Sequence, residues 1–240
     1  MTLTIDIGNT RMKWALFEEG RLVLSGLDGE PMPEGLAPDC AMVCATGRLD
    51  LEALDLGTCK VWVLQNGMPL PIGIDYATPH TLGPDRIAAA CGAKAMTEGR
   101  GCVIIDAGTC ITVDYLDPQG VYRGGAILPG FEMKFRALHT FTAKLPLITS
   151  IDSAKQPVTG RSTQESIEAG VLTATRYAVE GFVRHYRTLD PEALVVVTGG
   201  DANWLLGEGC LQVGDCRWEP LLVMQGLAAI ADYLTKLENN

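Results

Sequence analysis

One strand design occurs twice in this chain, a hundred positions apart. Leu3-Thr4-Ile5-Asp6-Ile7-Gly8-Asn9-Thr10 and Val103-Ile104-Ile105-Asp106-Ala107-Gly108-Thr109-Cys110 each place Asp-x-Gly after a short apolar, β-branched run, then small side chains. Such a run suits a buried strand, and the glycine permits the tight reversal that follows. A single Asp-x-Gly constrains little. Two copies in matching strands imply an internal duplication with a cleft between the halves. Each half then brings a carboxylate and a set of turn amides to a strand end. Carboxylates hold a cation and backbone N–H groups face an anion, which is what a nucleotide phosphate with its metal needs.

The chain of 240 residues is long enough for two small cores. Its composition, 47% hydrophobic and 20% charged, is that of a folded protein rather than a disordered one. A net charge of −10 gives an overall field that repels nucleic acid and acidic membranes, so neither is an expected partner. The same field repels an anionic substrate, so a phosphate site requires its own local cations. The N-terminus enters a strand directly, without a basic region and apolar stretch, and the apolar windows near 101–113 and 221–231 are short or interrupted. Neither a secretory signal nor a membrane span is expected. Eight cysteines, at 40, 44, 59, 91, 102, 110, 210 and 216, form no Cys-x-x-Cys pair, and His80, His139 and His185 are scattered. Reduced thiols, a cytoplasmic location and no structural zinc follow as expectations.

Strands are expected at 3–8, 12–17 and 21–25, then at 41–44 and 59–64, with loop at 26–40 and a proline-rich irregular stretch at 65–82. Pro84 to Ala95 predicts a helix, with proline near its first position and Asp85 in its first turn. The second half repeats the pattern with strands at 102–106, 111–116 and 121–127. After a loop comes a long helix from Ser162 to Tyr186, opened by the capping box Ser162-x-x-Glu165. A buried strand, Leu194 to Thr198, and a closing helix at 218–237 complete the chain. Meandering strands followed by alternating helix and strand, twice over, predict a mixed-sheet α/β architecture. The linker falls near 96–101, dividing the chain into 1–98 and 99–240.

Five constellations carry chemistry, each with a plainer alternative. In Asp6-x-Gly8-Asn9-Thr10-x-x-Lys13, turn amides and small polar side chains can cradle phosphate oxygens while Lys13 adds a point charge. A plain hairpin is the alternative, against which a carboxylate at the edge of a core needs a partner or a metal. Asp106-x-Gly108-Thr109 carries the same argument more strongly, because Asp106 interrupts an apolar run; Asp114 can simply face water. Gly83-Pro84-Asp85-Arg86 is either a functional turn or an ordinary helix start, where the macrodipole favours an aspartate. Thr198-Gly199-Gly200-Asp201 is either a close-approach turn for a ligand or a tight strand-to-helix connection. The glycines of Gly124-Gly125-Ala126-Ile127-Leu128-Pro129-Gly130 indicate crowded backbone, which need not be functional. The histidines support no Ser–His–Asp or Cys–His set.

In this order the motifs resemble the type III pantothenate kinases, within the superfamily of duplicated ATP-binding folds shared by actin, sugar kinases and heat-shock chaperone ATPases. The resemblance runs over nearly the whole chain and also takes in Tyr76, Leu145-Pro146 and Thr163-x-x-Ser166-Ile167-x-x-Gly170. It implies duplicated ribonuclease H-like (actin-like ATPase) domains with mixed five-stranded sheets flanked by helices, and a homodimer formed through helices of the second half. It implies ATP-dependent phosphorylation of pantothenate, the first step of coenzyme A biosynthesis. The ATP phosphates would lie on Asp6, Ile7, Gly8, Asn9, Thr10, Arg11, Met12 and Lys13, with Thr109 a further ATP contact. Asp85 would be the general base. Tyr76, Gly83, Pro84, Asp85, Arg86 and Thr163 would contact pantothenate. Asp106 would hold a monovalent cation, K⁺ or NH₄⁺, and Asp6 would lie near the Mg²⁺ that accompanies ATP. Cys110 departs from the family pattern, where alanine is more usual, but is small enough for the turn.

The residue types suit that chemistry. Phosphoryl transfer depends on positioning and charge stabilisation, with one base to steer the incoming hydroxyl. A guanidinium such as Arg86 suits a carboxylate through planar bidentate pairing. Three rivals keep the fold: a non-catalytic regulator, a catalytically silent scaffold, and a kinase for another hydroxylated acid or sugar. Acidic charge without a basic patch speaks against direct DNA binding, and a silent scaffold should have lost an aspartate or the Gly-x-Asp-Arg motif. Only the residues around Tyr76, Arg86 and Thr163 speak against another acceptor.

Overall fold

A computed structural model gives the architecture and describes residues 1–8, 12–27, 30, 35, 37–47, 50–51, 54, 56–149, 158–206, 211, 213–214 and 216–239. Residues 28–29, 31–34 and 36 of the loop expected at 26–40 lie outside them. Two sheets form. The first contains β1 (Thr2–Ile7), β2 (Met12–Glu18), β3 (Arg21–Leu27), β4 (Cys40–Ala45) and β5 (Lys60–Val63) in the order β3-β2-β1-β4-β5. It is mixed, with β1 antiparallel to β2 and parallel to β4. The second sheet contains β6 (Gly73–Ile74), β7 (Cys102–Ala107), β8 (Cys110–Leu116), β9 (Val121–Pro129), β10 (Leu194–Thr198) and β11 (Cys216–Trp218) in the order β11-β10-β7-β8-β9-β6. Without the short β6, its order repeats that of the first sheet strand for strand, and the duplication announced by the twin Asp-x-Gly turns is present in the topology.

The helices are α1 (Pro84–Met96), α2 (Phe131–Thr140), α3 (Thr163–Glu168), α4 (Ala174–Leu189), α5 (Asn203–Leu206) and α6 (Leu222–Glu238). The long helix expected over 162–186 is α3 and α4 joined by a π-helical stretch, Ala169–Thr173, with Ser162 accepting the Glu165 N–H at its start. Several elements differ from the sequence expectation, among them the short β6 within the stretch expected to be irregular. Helix α2 replaces a loop, anchored by buried Phe131 and Phe135 one turn apart. Strand β11 occupies the start of the expected closing helix, because Cys216–Trp218 pairs in parallel with β10. None of the described helices is long and apolar enough to cross a membrane.

The chain divides into two compact units, one of Met1–Gly99, Leu116–Gly124 and Leu221–Asn240, the other of Arg100–Tyr115 and Gly125–Pro220. In the first unit β1 is buried on both faces. Leu3 and Ile5 enter a cluster with Trp14, Leu16, Ala41 and Val43, while Thr4 points the other way and meets Met224 of α6. Strand alternation therefore puts Asp6 on the same face as Thr4. In the second unit Val103, Ile105, Val195 and Val197 pack with Val179 and Val183 of α4.

Helices α1 and α6 approach through glycine. A Cβ at Gly226 would lie 1.8 Å from the Ala88 carbonyl oxygen, and one at Gly92 would lie 2.3 Å from the Leu222 oxygen. Both obstacles are backbone, so a side chain there must part the helices. Gly226→Ala is expected to cost about 3 kcal/mol and to lower the melting temperature by roughly 6–12 °C. A thermal melt at the wild-type value would contradict this packing.

Candidate active site

The register of the first sheet builds the site around Asp6. Asp6 pairs directly with Lys13 of β2 and with Cys44 of β4, so the three side chains share one row across the sheet. The Cys44 thiol donates to the Asp6 carboxylate, and burial pushes that thiol well above its ordinary range. Oδ1 of Asp6 is nevertheless buried without a hydrogen-bond partner. Asp85, in the first turn of α1, adds a second negative charge close enough to act on Asp6. Burial, opposed by Lys13 and assisted by Asp85, pushes the Asp6 carboxyl from 3.8 up to about 6. Two carboxylates converge on one strand end with one lysine, and the inner oxygen of one accepts nothing. A cation that arrives with an anionic ligand fits that donor set.

The turn that follows Asp6 is anchored from behind. Thr46 and Gly47 donate their N–H groups to the Ile7 carbonyl at 3.0 and 3.1 Å. Gly47 lies against the Gly8 carbonyl, 2.7 Å from where a Cβ would stand. Ile7, Gly8, Met12 and Lys13 are therefore placed by β1, β2 and the end of β4. Asn9, Thr10 and Arg11 lie outside the described residues.

Gly83 precedes α1, and Pro84 takes its first position. Asp85 Oδ1 accepts the Arg86 N–H at 2.9 Å and sits 2.5 Å from where a Gly83 Cβ would be, so glycine leaves space for that carboxylate. Arg86 is only 7% exposed. Its guanidinium carbon lies 5.8 Å from the centre of the Tyr122 ring, and Tyr76 packs on the same ring. The first unit thus brings together Asp6, Lys13 and Asp85, and brings Tyr76 and Arg86 onto Tyr122.

The second unit holds Asp106, Thr109 and Thr163. Gly199, at φ +95°, brings its backbone against the Asp106 turn: a Cβ there would lie 2.2 Å from the Ala107 oxygen and 2.5 Å from Asp106 Oδ1. Asp201 donates its N–H to Ala107 and Gly130 donates its own to Thr109. Two glycines of the 124–130 segment are crowded, Gly125 against Val113 and Asp114, and Gly130 against Gly108 and Thr109. Thr109 and Thr163 are exposed, the latter at the first position of α3. Asp114 does not face water: it is 1% exposed.

The model of the type III pantothenate kinase family matches residues 45–185. A type III pantothenate kinase of Phocaeicola vulgatus is 38% identical over 84% of this chain and 86% of its own. Another, from Azobacteroides pseudotrichonymphae, is 34% identical over 98% of both chains. The chain belongs to the type III pantothenate kinase family. Among solved structures, a Campylobacter jejuni protein described as a Baf family transcriptional activator is similar with a TM-score of 0.66, at 18% identity over 98% of this chain and 99% of that one. A Sinorhizobium meliloti protein described as a 2-dehydro-3-deoxygalactonokinase is similar at 0.55, with 12% identity over 98% and 99%. Both likenesses show the fold, an α/β architecture of two mixed sheets flanked by helices.

Within the family frame, sequence reasoning missed Cys44 and Tyr122. The signal for Cys44 was its place in a second buried strand, but parallel register cannot be counted from sequence. Tyr122 lay in a strand of the expected pattern, with nothing local to mark its partners.

The raised Asp6 carboxyl fixes a sign for stability. The folded state holds this proton more tightly than the unfolded state, so the favourable contribution is full below about 4 and is lost as pH rises through about 6. A shift of this size corresponds to about 3 kcal/mol. Urea unfolding of wild type and Asp6→Asn should show the mutant gaining relative stability as pH rises through that window. A difference that stays constant with pH would contradict the placement.

Proposed function

We propose that the chain transfers the terminal phosphoryl group of ATP to the primary hydroxyl of pantothenate, yielding ADP and 4'-phosphopantothenate, the first step of coenzyme A biosynthesis. The observation that carries this is the strand-end pair Asp6 and Asp85 beside Lys13, with one buried carboxylate oxygen that accepts no hydrogen bond. Family membership supports the donor and the acceptor.

The ATP phosphates contact Asp6, Ile7, Gly8, Asn9, Thr10, Arg11, Met12 and Lys13, and Thr109 is a further ATP contact. Lys13 supplies a point charge to phosphate oxygens. Mg²⁺ bound with ATP would be held from the protein side by Asp6 and would offset phosphate charge. Asp85 accepts the hydroxyl proton of pantothenate as its oxygen bonds to phosphorus. The first turn of a helix favours the ionised form needed for that task. Arg86 pairs with the pantothenate carboxylate, and Tyr76, Gly83, Pro84 and Thr163 complete the acceptor contacts. Asp106, at a turn of carbonyl and hydroxyl oxygens, holds a monovalent cation, K⁺ or NH₄⁺. The protein acts as a cytoplasmic homodimer, without nucleic acid or membrane as a partner.

The test is ADP release with ATP, Mg²⁺ and pantothenate, first in potassium and then in sodium alone. Pantothenate-dependent turnover is expected, and higher in potassium. Equal turnover in both salts would remove the cation assignment at Asp106, and no pantothenate-dependent turnover in potassium or ammonium would remove the acceptor. Asp85→Asn should lower kcat by roughly 10²–10⁴-fold while nucleotide binding by calorimetry stays near wild type. Wild-type rates in that variant would remove Asp85 as base. Lys13→Ala should instead weaken nucleotide binding.

A further inference from the structure

Residues 116–124, the end of β8 and the start of β9, belong to the first unit. Tyr122 there is fully buried, and its ring serves two neighbours. The Arg86 guanidinium lies over it at 5.8 Å, and the Tyr76 ring packs at 6.1 Å with planes inclined by 59°. The next residue ties the same segment down. Arg123 donates from Nε to Asp117 Oδ2 at 2.8 Å and from Nη1 to Asp75 Oδ2 at 2.6 Å. The other Asp117 oxygen accepts the Val121 N–H at 2.8 Å. Asp75 adjoins Tyr76 and donates its own N–H to the Tyr122 carbonyl at 2.9 Å. Gly124, at φ +95°, completes the arrangement: a Cβ there would touch the Tyr76 ring at 3.5 Å.

We infer that Tyr122 and Arg123 are positioning residues for the acceptor, Tyr122 by fixing the Arg86 guanidinium and the Tyr76 ring, and Arg123 by clamping the Tyr76 segment to the hairpin. The inference rests on pantothenate being the acceptor, with Arg86 on its carboxylate. Neither residue needs to touch substrate. A guanidinium held over a ring keeps its plane fixed before the carboxylate arrives, so less side-chain freedom is lost on binding. Desolvation strengthens that cation–π contact, and Arg86 is buried. The carboxylate end of the substrate is the part recognised, so the effect must appear as selectivity for a carboxylate.

Steady-state kinetics with MgATP in potassium test this on wild type, Tyr122→Phe, Tyr122→Leu and Arg123→Met. Pantothenate is compared with pantothenol, which carries a hydroxymethyl group in place of the carboxylate. Tyr122→Leu should raise the KM for pantothenate on the order of tenfold, with kcat and the KM for ATP near wild type, and should reduce the preference for pantothenate over pantothenol by a similar factor. Tyr122→Phe keeps the ring and should restore both. Arg123→Met, at a half-exposed side chain, should raise the pantothenate KM about threefold. If Tyr122→Leu does not fold, Arg123→Met decides. Unchanged pantothenate KM and selectivity in the folded variants would overturn the inference. So would losses shared equally by kcat and the KM for ATP, which mark a merely structural role. Wild type that turns over pantothenol as readily as pantothenate would also overturn it. Wild type without any pantothenate-dependent turnover would overturn the proposed function itself, and this inference with it.

Discussion

A carboxylate with one buried oxygen at the end of β1 is the constraint on which the first unit turns. Asp6 stands in a row between Lys13 and Cys44, and Asp85 is brought close by α1. The arrangement opposes stability: burial and a like charge raise the carboxyl to about 6, so at neutral pH the fold carries an ionised group it would hold more easily protonated. One lysine and one thiol moderate this, and Oδ1 stays without a partner. A fold keeps such a group where a ligand supplies what the protein withholds. Helix α1 carries Asp85 in its first turn, and the glycines at 92 and 226 let α6 press closely on that helix.

The second unit repeats the topology with different local means. Its Asp-x-Gly turn is packed by Gly130 and by Gly199, whose backbone comes so near that any side chain would strike the Ala107 carbonyl or Asp106 itself. Gly130 and Gly199 are thus the close-approach positions around Asp106 and Thr109. In the first unit the Asp6 turn is held instead by the end of β4, through the Ile7 carbonyl. The same strand order accommodates both solutions.

Much of this was legible because it is local. Buried strands ending in Asp-x-Gly, the proline start of α1 and the Ser162 cap are encoded within a few residues, and the ordered motifs pointed to the family. What escaped depends on partners distant in sequence. The pairing of Cys44 with Asp6 needs the parallel register of β1 and β4. The duties of Tyr122 need Arg86 and Tyr76 folded onto it. Helix α6 follows the second unit in sequence yet packs with α1, and its apolar pattern says that it is buried without saying against what. Helix α2 was hidden by the proline and glycine before it, although Phe131 and Phe135 have helical spacing. Asp114 alternates like a surface residue and is buried all the same.

Asp6 offers an oxygen without a hydrogen-bond partner, which the proposed cation delivered with the nucleotide would complete. The most direct test is the carbon-13 signal of the Asp6 carboxyl, assigned with Asp6→Asn and followed across pH with and without MgATP. The free protein should titrate near 6, and the complex should keep the group ionised down to the ordinary carboxylate range. An ordinary midpoint in the free protein, or a midpoint near 6 that MgATP leaves in place, would contradict it.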